Sequence, residues 1–314
     1  MVNPLGGGKK SNRGSMASNQ ADISRFDERS LAELVNHEHE TPGKAICIPS
    51  RTREVAMKAG LAFLLTLAMA FIALPVVALF LKSPLETTLR SLHDPMVLDA
   101  LRLSLTTSTL TTIIVVVMGT PIAYVSARFH YFGKEIADSL IDLPVIMPPA
   151  VAGIALLMAF GRMGIVGHYL SAFGISIAFT TLAVIIAQVF VSSPFYIRQA
   201  RTSFEDVDLA FENAARTLGA SRVYTFLHVI LPIAMNGLIS GAIMAFARSL
   251  GEFGATIMFA GNFQGRTQTM PLAIYTAMQG DLDVSLCLSI ILVAISFVVI
   301  IIVKTMTRRV IMRC

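Results

Sequence analysis

Long apolar runs recur along the chain, and six of them approach or exceed the length of a membrane span: Val55–Leu81, Val97–Ala127, Leu140–Phe160, Ile177–Ile197, Ile233–Ala260 and Val284–Val303. About 20 predominantly apolar residues cross a hydrocarbon core as a helix. The pattern therefore predicts an all-α, polytopic bundle of about six transmembrane helices. The second and fifth runs are longer than a span needs, so they must tilt, bend or protrude. Bends are expected at Pro75, Pro121, the trio Pro144, Pro148 and Pro149, and Pro194. In a membrane such breaks persist where neighbouring helices satisfy the freed backbone groups.

One polar strip interrupts this pattern between the fourth and fifth runs, within residues 203–232. In "ENAARTLGASRVYTFLHVILP", Phe211, Ala214, Ala215 and Leu218 share one helical face. Glu212 and Arg216 are spaced i, i+4 on the opposite side, as in a favourable ion pair. Gly219 suits the end of a first helix and Ser221 the N-cap of a second. Val223, Phe226, Leu227 and Ile230 repeat the apolar pattern, and Pro232 can open the fifth span in its first turn. Two short amphipathic helices meeting at a glycine are expected. Their face is small and Ala-rich, which suits docking on protein better than burial among lipid headgroups.

Residues 1–52 follow neither pattern. They are rich in Gly, Ser, Asn and charge, with too few apolar groups to offset ordering, and are expected to form a disordered cytoplasmic arm ahead of a transmembrane domain over 53–314. No short apolar core follows the basic start, so no signal peptide is expected. His37 and His39 at i, i+2 would point apart on a helix. "GGGKKS" lacks the Ser or Thr that a phosphate loop places directly after its GK pair.

Composition supports the membrane reading. The chain is 54% hydrophobic and 14% charged, against about 25% charged in ordinary soluble domains. The net charge of +5 raises nucleic acid as a partner, but the basic residues fall where a membrane topology needs them, and no nucleic acid is expected. Arg51, Arg53, Lys58, Arg128, Lys134, Arg198, Arg201, Arg216, Arg222, Lys304, Arg308, Arg309 and Arg313 gather on one side. The other side holds Lys82, Arg90, Arg162 and Arg266, with Arg102 near the start of the second span. Both termini and the polar strip are then cytoplasmic, in a multi-pass protein of the cell membrane.

Polar groups within the runs offer little chemistry. Arg248 and Glu252 are spaced i, i+4 in the fifth run, with Gly251 and Gly254 beside them. Charges at that depth face a bundle interior or an aqueous path. They serve either as a pathway or gate element or as a packing lock. Thr106, Thr107, Ser108, Thr109, Thr111 and Thr112 either bond the preceding turn or line a pore. His130 and His168 are read as solvated loop residues, and the sixteen Met residues as filler. Cys47, Cys287 and Cys314 have no ligand or disulfide spacing. No nucleophile–base or metal-ligand constellation stands out, so neither catalysis, a metal nor a cofactor is expected in this chain.

The strip resembles the EAA loop of ABC importer permeases, E-A-A-x-x-x-G-x(9)-I-x-L-P. Ala214, Ala215, Gly219, Leu231 and Pro232 match, Val229 replaces the Ile, and Asn213 stands where the family usually has Glu, with Glu212 one residue earlier. "GTPIAYVSAR", "DLPVIMPPAVAGIALL", "SSPFYIRQA" and "SLGEFGATIMFAGNFQGRTQTMPLAIYTAM" are similar to permeases of the molybdate type, over roughly residues 95–305. The resemblance implies a type I importer fold and a pore of two permease copies in membrane lipid. It also implies two separate ATPase subunits docked on the EAA loops and an external binding protein that delivers the oxyanion. Tungstate and sulfate are the nearest alternative substrates. An ion-coupled secondary transporter is a rival class, usually marked by paired discontinuous helices; no internal repeat of that kind is visible in the sequence.

Overall fold

The structure is a computed structural model that describes residues 51–82 and 94–311. The rest of the arm, with His37, His39 and Cys47, and Cys314 at the other end lie outside the described residues. Among the described residues the fold is all helical. The helices are α1 (Arg51–Lys82), α2 (Pro95–Arg128), α3 (Lys134–Ile146), α4 (Pro149–Phe160), α5 (Gly167–Ala172) and α6 (Thr181–Glu205). They continue with α7 (Leu209–Thr217), α8 (Arg222–Thr225), a π-helical turn at Phe226–Ile230, α9 (Leu231–Leu250), α10 (Gly254–Phe259), α11 (Met270–Gly280) and α12 (Leu282–Ile311). Among the described residues five segments are long and apolar enough to span a membrane, or six if α3 and α4 form one bent span.

The chain divides into two units at Ala70 and Phe71, with α1 running across the boundary. Side chains of α1 such as Phe63, Phe71 and Leu74 are exposed. Its first residues, Arg51 and Thr52, belong to the helix rather than to the arm.

The second unit is organised on α6. Its Tyr196, Ala200 and Phe204 pack with Val115 and Ala123 of α2 and with Ala234, Leu238 and Ala245 of α9. The first half of α6 instead meets α4 and α10 through Ala183, Val184 and Ala187 against Ala152, Leu156, Ala255 and Phe259. A third cluster joins the start of α2 to α11 and α12 through Val97, Ala100, Met270, Ala273, Leu288 and Ile291. Small residues recur at these seams because lipid supplies no hydrophobic drive between helices, which leaves close packing to hold them.

The expected prolyl bends divide sharply. Pro121 and Pro194 lie inside the unbroken helices α2 and α6, and Pro75 inside α1. At Pro194 the carbonyl four residues back, that of Phe190, accepts a bond from the Ser193 hydroxyl at 3.3 Å instead. The tandem Pro148–Pro149 does break the chain. A residue before proline is pushed out of the α region, and here Met147 (ψ 134°) and Pro148 (ψ 135°) both precede one. The third expected span is thus two helices bent by 116°.

The fifth run is also interrupted. Its helix ends at Leu250, and α10 starts only at Gly254. The fourth span starts at Thr181, capped by the Thr180 hydroxyl, and continues to Glu205, well beyond the apolar run. Helix α11 falls in no apolar run and was not expected. It is held partly by the Met270 N–H, which donates to the buried Ser104 hydroxyl at 2.7 Å.

The two interrupted segments pack on each other. A Cβ on Gly153 would lie 2.6 Å from the Met258 Cβ and 2.8 Å from the Ala255 carbonyl oxygen, and one on Gly254 would strike Pro149. Helices α4 and α10 therefore meet almost backbone to backbone. Gly153→Val is expected to destabilise the folded subunit by about 1–3 kcal/mol through overpacking. Thermal unfolding of the detergent-purified protein should reveal a clear fall in melting temperature, and an unchanged melt would show that the seam yields.

Candidate coupling strip and intramembrane ion pair

The polar strip folds as two helices around Gly219. Asp208 caps α7 by accepting the Ala210 N–H at 2.9 Å. The helix closes with Gly219 N–H donating to the Arg216 carbonyl and Ala220 N–H to the Ala215 carbonyl, at 3.0 and 3.1 Å. Gly219 sits at φ +86°, the left-handed position this closure requires. Ser221 then caps α8 by accepting the Tyr224 N–H at 3.2 Å.

Downstream the helix does not restart at Pro232. It runs from Arg222 to Leu250, passing through a π turn in which Leu231 N–H donates to the Phe226 carbonyl, five residues back. A proline ring crowds the carbonyl four residues earlier, and a widened turn relieves that clash.

The apolar face of α7 is turned outward. No residue of α7 is buried, and Phe211 and Leu218 are 54% and 89% exposed. Val223 and Tyr224 of α8 are also exposed, whereas Ile230 is fully buried. Ala215, Gly219, Ala220, Tyr224 and Val229 line a concavity of about 520 Å³ between the two helices. Tyr224 stacks on His228 with ring centroids 4.1 Å apart. Asn213 and Ala214 are exposed, and the Asn213 carbonyl accepts the Thr217 hydroxyl at 2.9 Å. Glu212 is half-buried. The ion pair expected between Glu212 and Arg216 is not formed among the described residues. Both side chains instead line a groove of about 380 Å³ with Tyr124, Phe129 and Arg222.

Beneath the strip, three aromatic rings from three helices meet. Tyr124 of α2 lies edge-on to Phe204 of α6 at 5.5 Å and to Phe226 of the π turn at 4.7 Å. Arg128, the last residue of α2, donates from Nη2 to the Val207 carbonyl at 2.6 Å. Nearby, Arg201 of α6 bridges Asp138 of α3 and Glu205, each at 2.8 Å, and Arg198 reaches Asp142 at 2.5 Å. The basic residues read as topology markers therefore also fasten α3 and the link before α7. The aromatic residues give no polar signal in the sequence, and Arg128 is legible there only as a flanking charge.

At the interruption between α9 and α10, Arg248 Nη1 donates to Glu252 Oε2 at 2.8 Å. The other Glu252 oxygen accepts the Ala255 N–H, also at 2.8 Å. Glu252 is 1% exposed and Arg248 32% exposed, with the guanidinium 6.0 Å above the Phe195 ring. Glu252 thus caps the new helix while it holds the cation. Gly251 is spacious and ends α9, whereas Gly254 abuts Pro149. The hydroxyls at the start of α2 bond mostly within their own helix. Thr106, Thr107, Thr109 and Thr112 donate to carbonyls one turn back, and Thr111 reaches Gln188 at 3.1 Å.

A multi-pass helical bundle with an exposed, glycine-centred strip between two spans has the layout of a transport-system membrane component. The chain belongs to the family of binding-protein-dependent transport system inner membrane components, whose model matches residues 119–312. It is 42% identical over 230 residues to the molybdenum transport system permease protein ModB of Mycobacterium tuberculosis, covering 73% of this chain and 87% of that one. It is 40% identical to the probable transport system permease protein NifC of Clostridium pasteurianum, covering 78% and 87%. It is 37% identical to the molybdate/tungstate permease protein WtpB of Thermococcus kodakarensis, covering 78% and 93%.

In fold, the chain is similar to a bacterial ABC transporter that imports alginate, with a TM-score of 0.67 at 15% identity over 82% of this chain and 96% of that one. The MetNI methionine transporter follows, with a TM-score of 0.54 at 17% identity over 68% and 96%. The two interrupted spans also fit the pattern associated with secondary transporters. The family match decides between the classes.

The Glu252 geometry makes the pair directional. An arginine at 252 cannot accept the Ala255 N–H, so exchanging the two charges should leave the helix start uncapped. The double variant Arg248→Glu with Glu252→Arg is expected to stay destabilised, by about 1–3 kcal/mol for the unsatisfied buried donor. Glu252→Gln, which keeps an acceptor, should melt closer to the parent protein. Melting temperatures of the purified variants check this order, and full recovery in the exchanged pair would contradict it.

Proposed function

We propose that the chain forms the pore of an ATP-driven importer for tetrahedral oxyanions, with molybdate as the principal substrate. Tungstate is the second reading, favoured by the relative named a molybdate/tungstate permease. The observation that carries the proposal is the exposed strip around Gly219, in a chain 37–42% identical over most of its length to the named permeases. A helix-forming strip with an outward, small and Ala-rich apolar face suits a soluble protein partner better than lipid headgroups. Two copies of a separate ATPase subunit take that position, with Ala214, Ala215 and Gly219 at the contact and Glu212 and Asn213 at its edge. Leu231 and Pro232 pass the load into the span.

In this reading both termini and the strip are cytoplasmic, a second copy of the chain completes the pore in the lipid bilayer, and an external binding protein delivers the anion. The half-exposed Arg248 guanidinium, flanked by Gly251, Glu252 and Gly254, supplies positive charge at an interrupted span. Irregular backbone at that depth is tolerated where it is buried in protein or lines an aqueous path. ATP-dependent uptake of labelled molybdate into proteoliposomes holding the chain, its ATPase and its binding protein tests the function. Unlabelled tungstate and sulfate serve as competitors. No ATP-dependent uptake of molybdate, and none when labelled tungstate or sulfate replaces it, would reject it.

Gly219 separates backbone demand from steric contact, because a Cβ there would meet no atom within 4 Å. The left-handed conformation alone penalises a β-branched residue, by about 1–2 kcal/mol or more. Gly219→Val is expected to lose ATPase subunits on purification or to hydrolyse ATP without uptake. Gly219→Asn, which tolerates that conformation, should retain coupled uptake. Equal behaviour of the two variants would remove the strip from the coupling role.

A further inference from the structure

We propose that Arg128 is a positioning residue that ties the entry of the coupling strip to α2, so that displacement of the strip is delivered to that span. This rests on the importer reading above.

The strip is held differently at its two ends. At its exit the backbone is continuous, since the helix from Arg222 runs through the π turn into α9. At its entry α6 stops at Glu205 and α7 starts at Leu209, leaving the short link of Asp206, Val207 and Asp208. A link of that kind would take up motion of α7 by changing its own dihedrals. Val207 is nevertheless buried, at 3% exposure, and its carbonyl is the acceptor for Arg128 at 2.6 Å. Hydrogen bonds from a charged donor are roughly twice as strong as neutral ones.

The arrangement is an unusual use of a basic residue at a span end. Such side chains ordinarily extend to the headgroups and water. Arg128 instead turns inward, forms no ion pair among the described residues, and leaves its Nε buried without a partner. Asp138, a carboxylate of the same cluster, is taken by Arg201 and by the Ser126 hydroxyl. A side chain placed only for topology has no reason to accept that desolvation.

Tyr124 lies one turn before Arg128 on the same face of α2. It packs on Phe226 at the exit of the strip and on Phe204 just before its entry. One face of α2 therefore holds both ends of the strip, the exit through rings and the entry through a directed bond. The ring contacts can slide, whereas the guanidinium–carbonyl bond fixes a register.

The test uses the assembled transporter with its ATPase and binding protein, as Arg128→Gln and Arg128→Lys. Because the outward face of α7 is untouched, ATPase subunits should co-purify with both variants. In Arg128→Gln, oxyanion taken up per ATP hydrolysed should fall about tenfold, the scale of one lost charge-assisted bond. Arg128→Lys, which keeps the charge but holds the carbonyl through a single nitrogen, should recover only part of that ratio. Backbone amides of residues 206–209 should exchange hydrogen faster in Arg128→Gln, with the interior of α6 unchanged. An unchanged ratio in Arg128→Gln, or parental exchange at 206–209, would overturn the proposal.

Should Arg128→Gln fail to assemble, exchange at 206–209 is read in Arg128→Lys, whose single-nitrogen head holds the carbonyl less firmly. Parental protection there overturns the proposal, and faster exchange supports it. Hydrogen exchange needs no transport. A parent complex without ATP-driven uptake would therefore reject the importer reading while the exchange data still decide the role of Arg128.

Discussion

A helix that stops inside a bilayer leaves backbone donors and acceptors with no water to receive them, and each must find a partner within the protein. At the break between α9 and α10 that partner is Glu252, whose two oxygens hold Ala255 N–H and Arg248. At the break between α3 and α4 two consecutive prolines need no N–H partner at all, because they have none to donate. The interrupted ends then lie against each other at Gly153 and Gly254, where any larger residue would force α4 and α10 apart. Irregular backbone at these two breaks is thus brought together in one part of the bundle. The continuous helices α2, α6 and α9 form the frame around it.

The frame is fastened at the strip end by a different chemistry. Arg198 and Arg201 reach from α6 to Asp142 and Asp138 of α3, and Arg128 reaches from α2 to the link before α7. These pairs are partly exposed, so each contributes modestly to stability. Their value lies in direction, since a guanidinium fixes the angle at which two helices meet. Rings from α2, α6 and the π turn fill the space between them. The strip consequently has a supported inner side and an unsupported apolar outer side, as expected of a surface that meets a partner.

Polar residues in the spans are largely occupied with the fold. The threonines at the start of α2 mostly return their hydroxyl protons to their own helix, and Thr111 joins Gln188. Selection among oxyanions of similar charge and shape would need an array of donors converging on one anion. That role suits the external binding protein of the proposed importer better than this bundle, and it leaves the bundle to supply passage and a positive charge at Arg248.

Much of this was legible in the sequence. Apolar run lengths agree with the five or six candidate spans of the structure, since crossing hydrocarbon requires a fixed rise. The strip was readable as two helices joined at Gly219, because caps and left-handed turns depend on local residue types, and Ser221 and Gly219 behave as their types require. Local rules failed where long-range partners decide. Bends are expected at Pro121 and Pro194 as at Pro148, yet their helices continue, and at Pro194 a neighbouring hydroxyl takes up the freed carbonyl. Glu212 and Arg216 have the spacing of an ion pair but face a groove shared with α2 and α8 instead. Which carbonyl Arg128 holds depends on a segment 79 residues away in the chain. Periodicity records a residue's own helix and contains nothing about the neighbour that helix will meet, so only the tertiary structure could decide these.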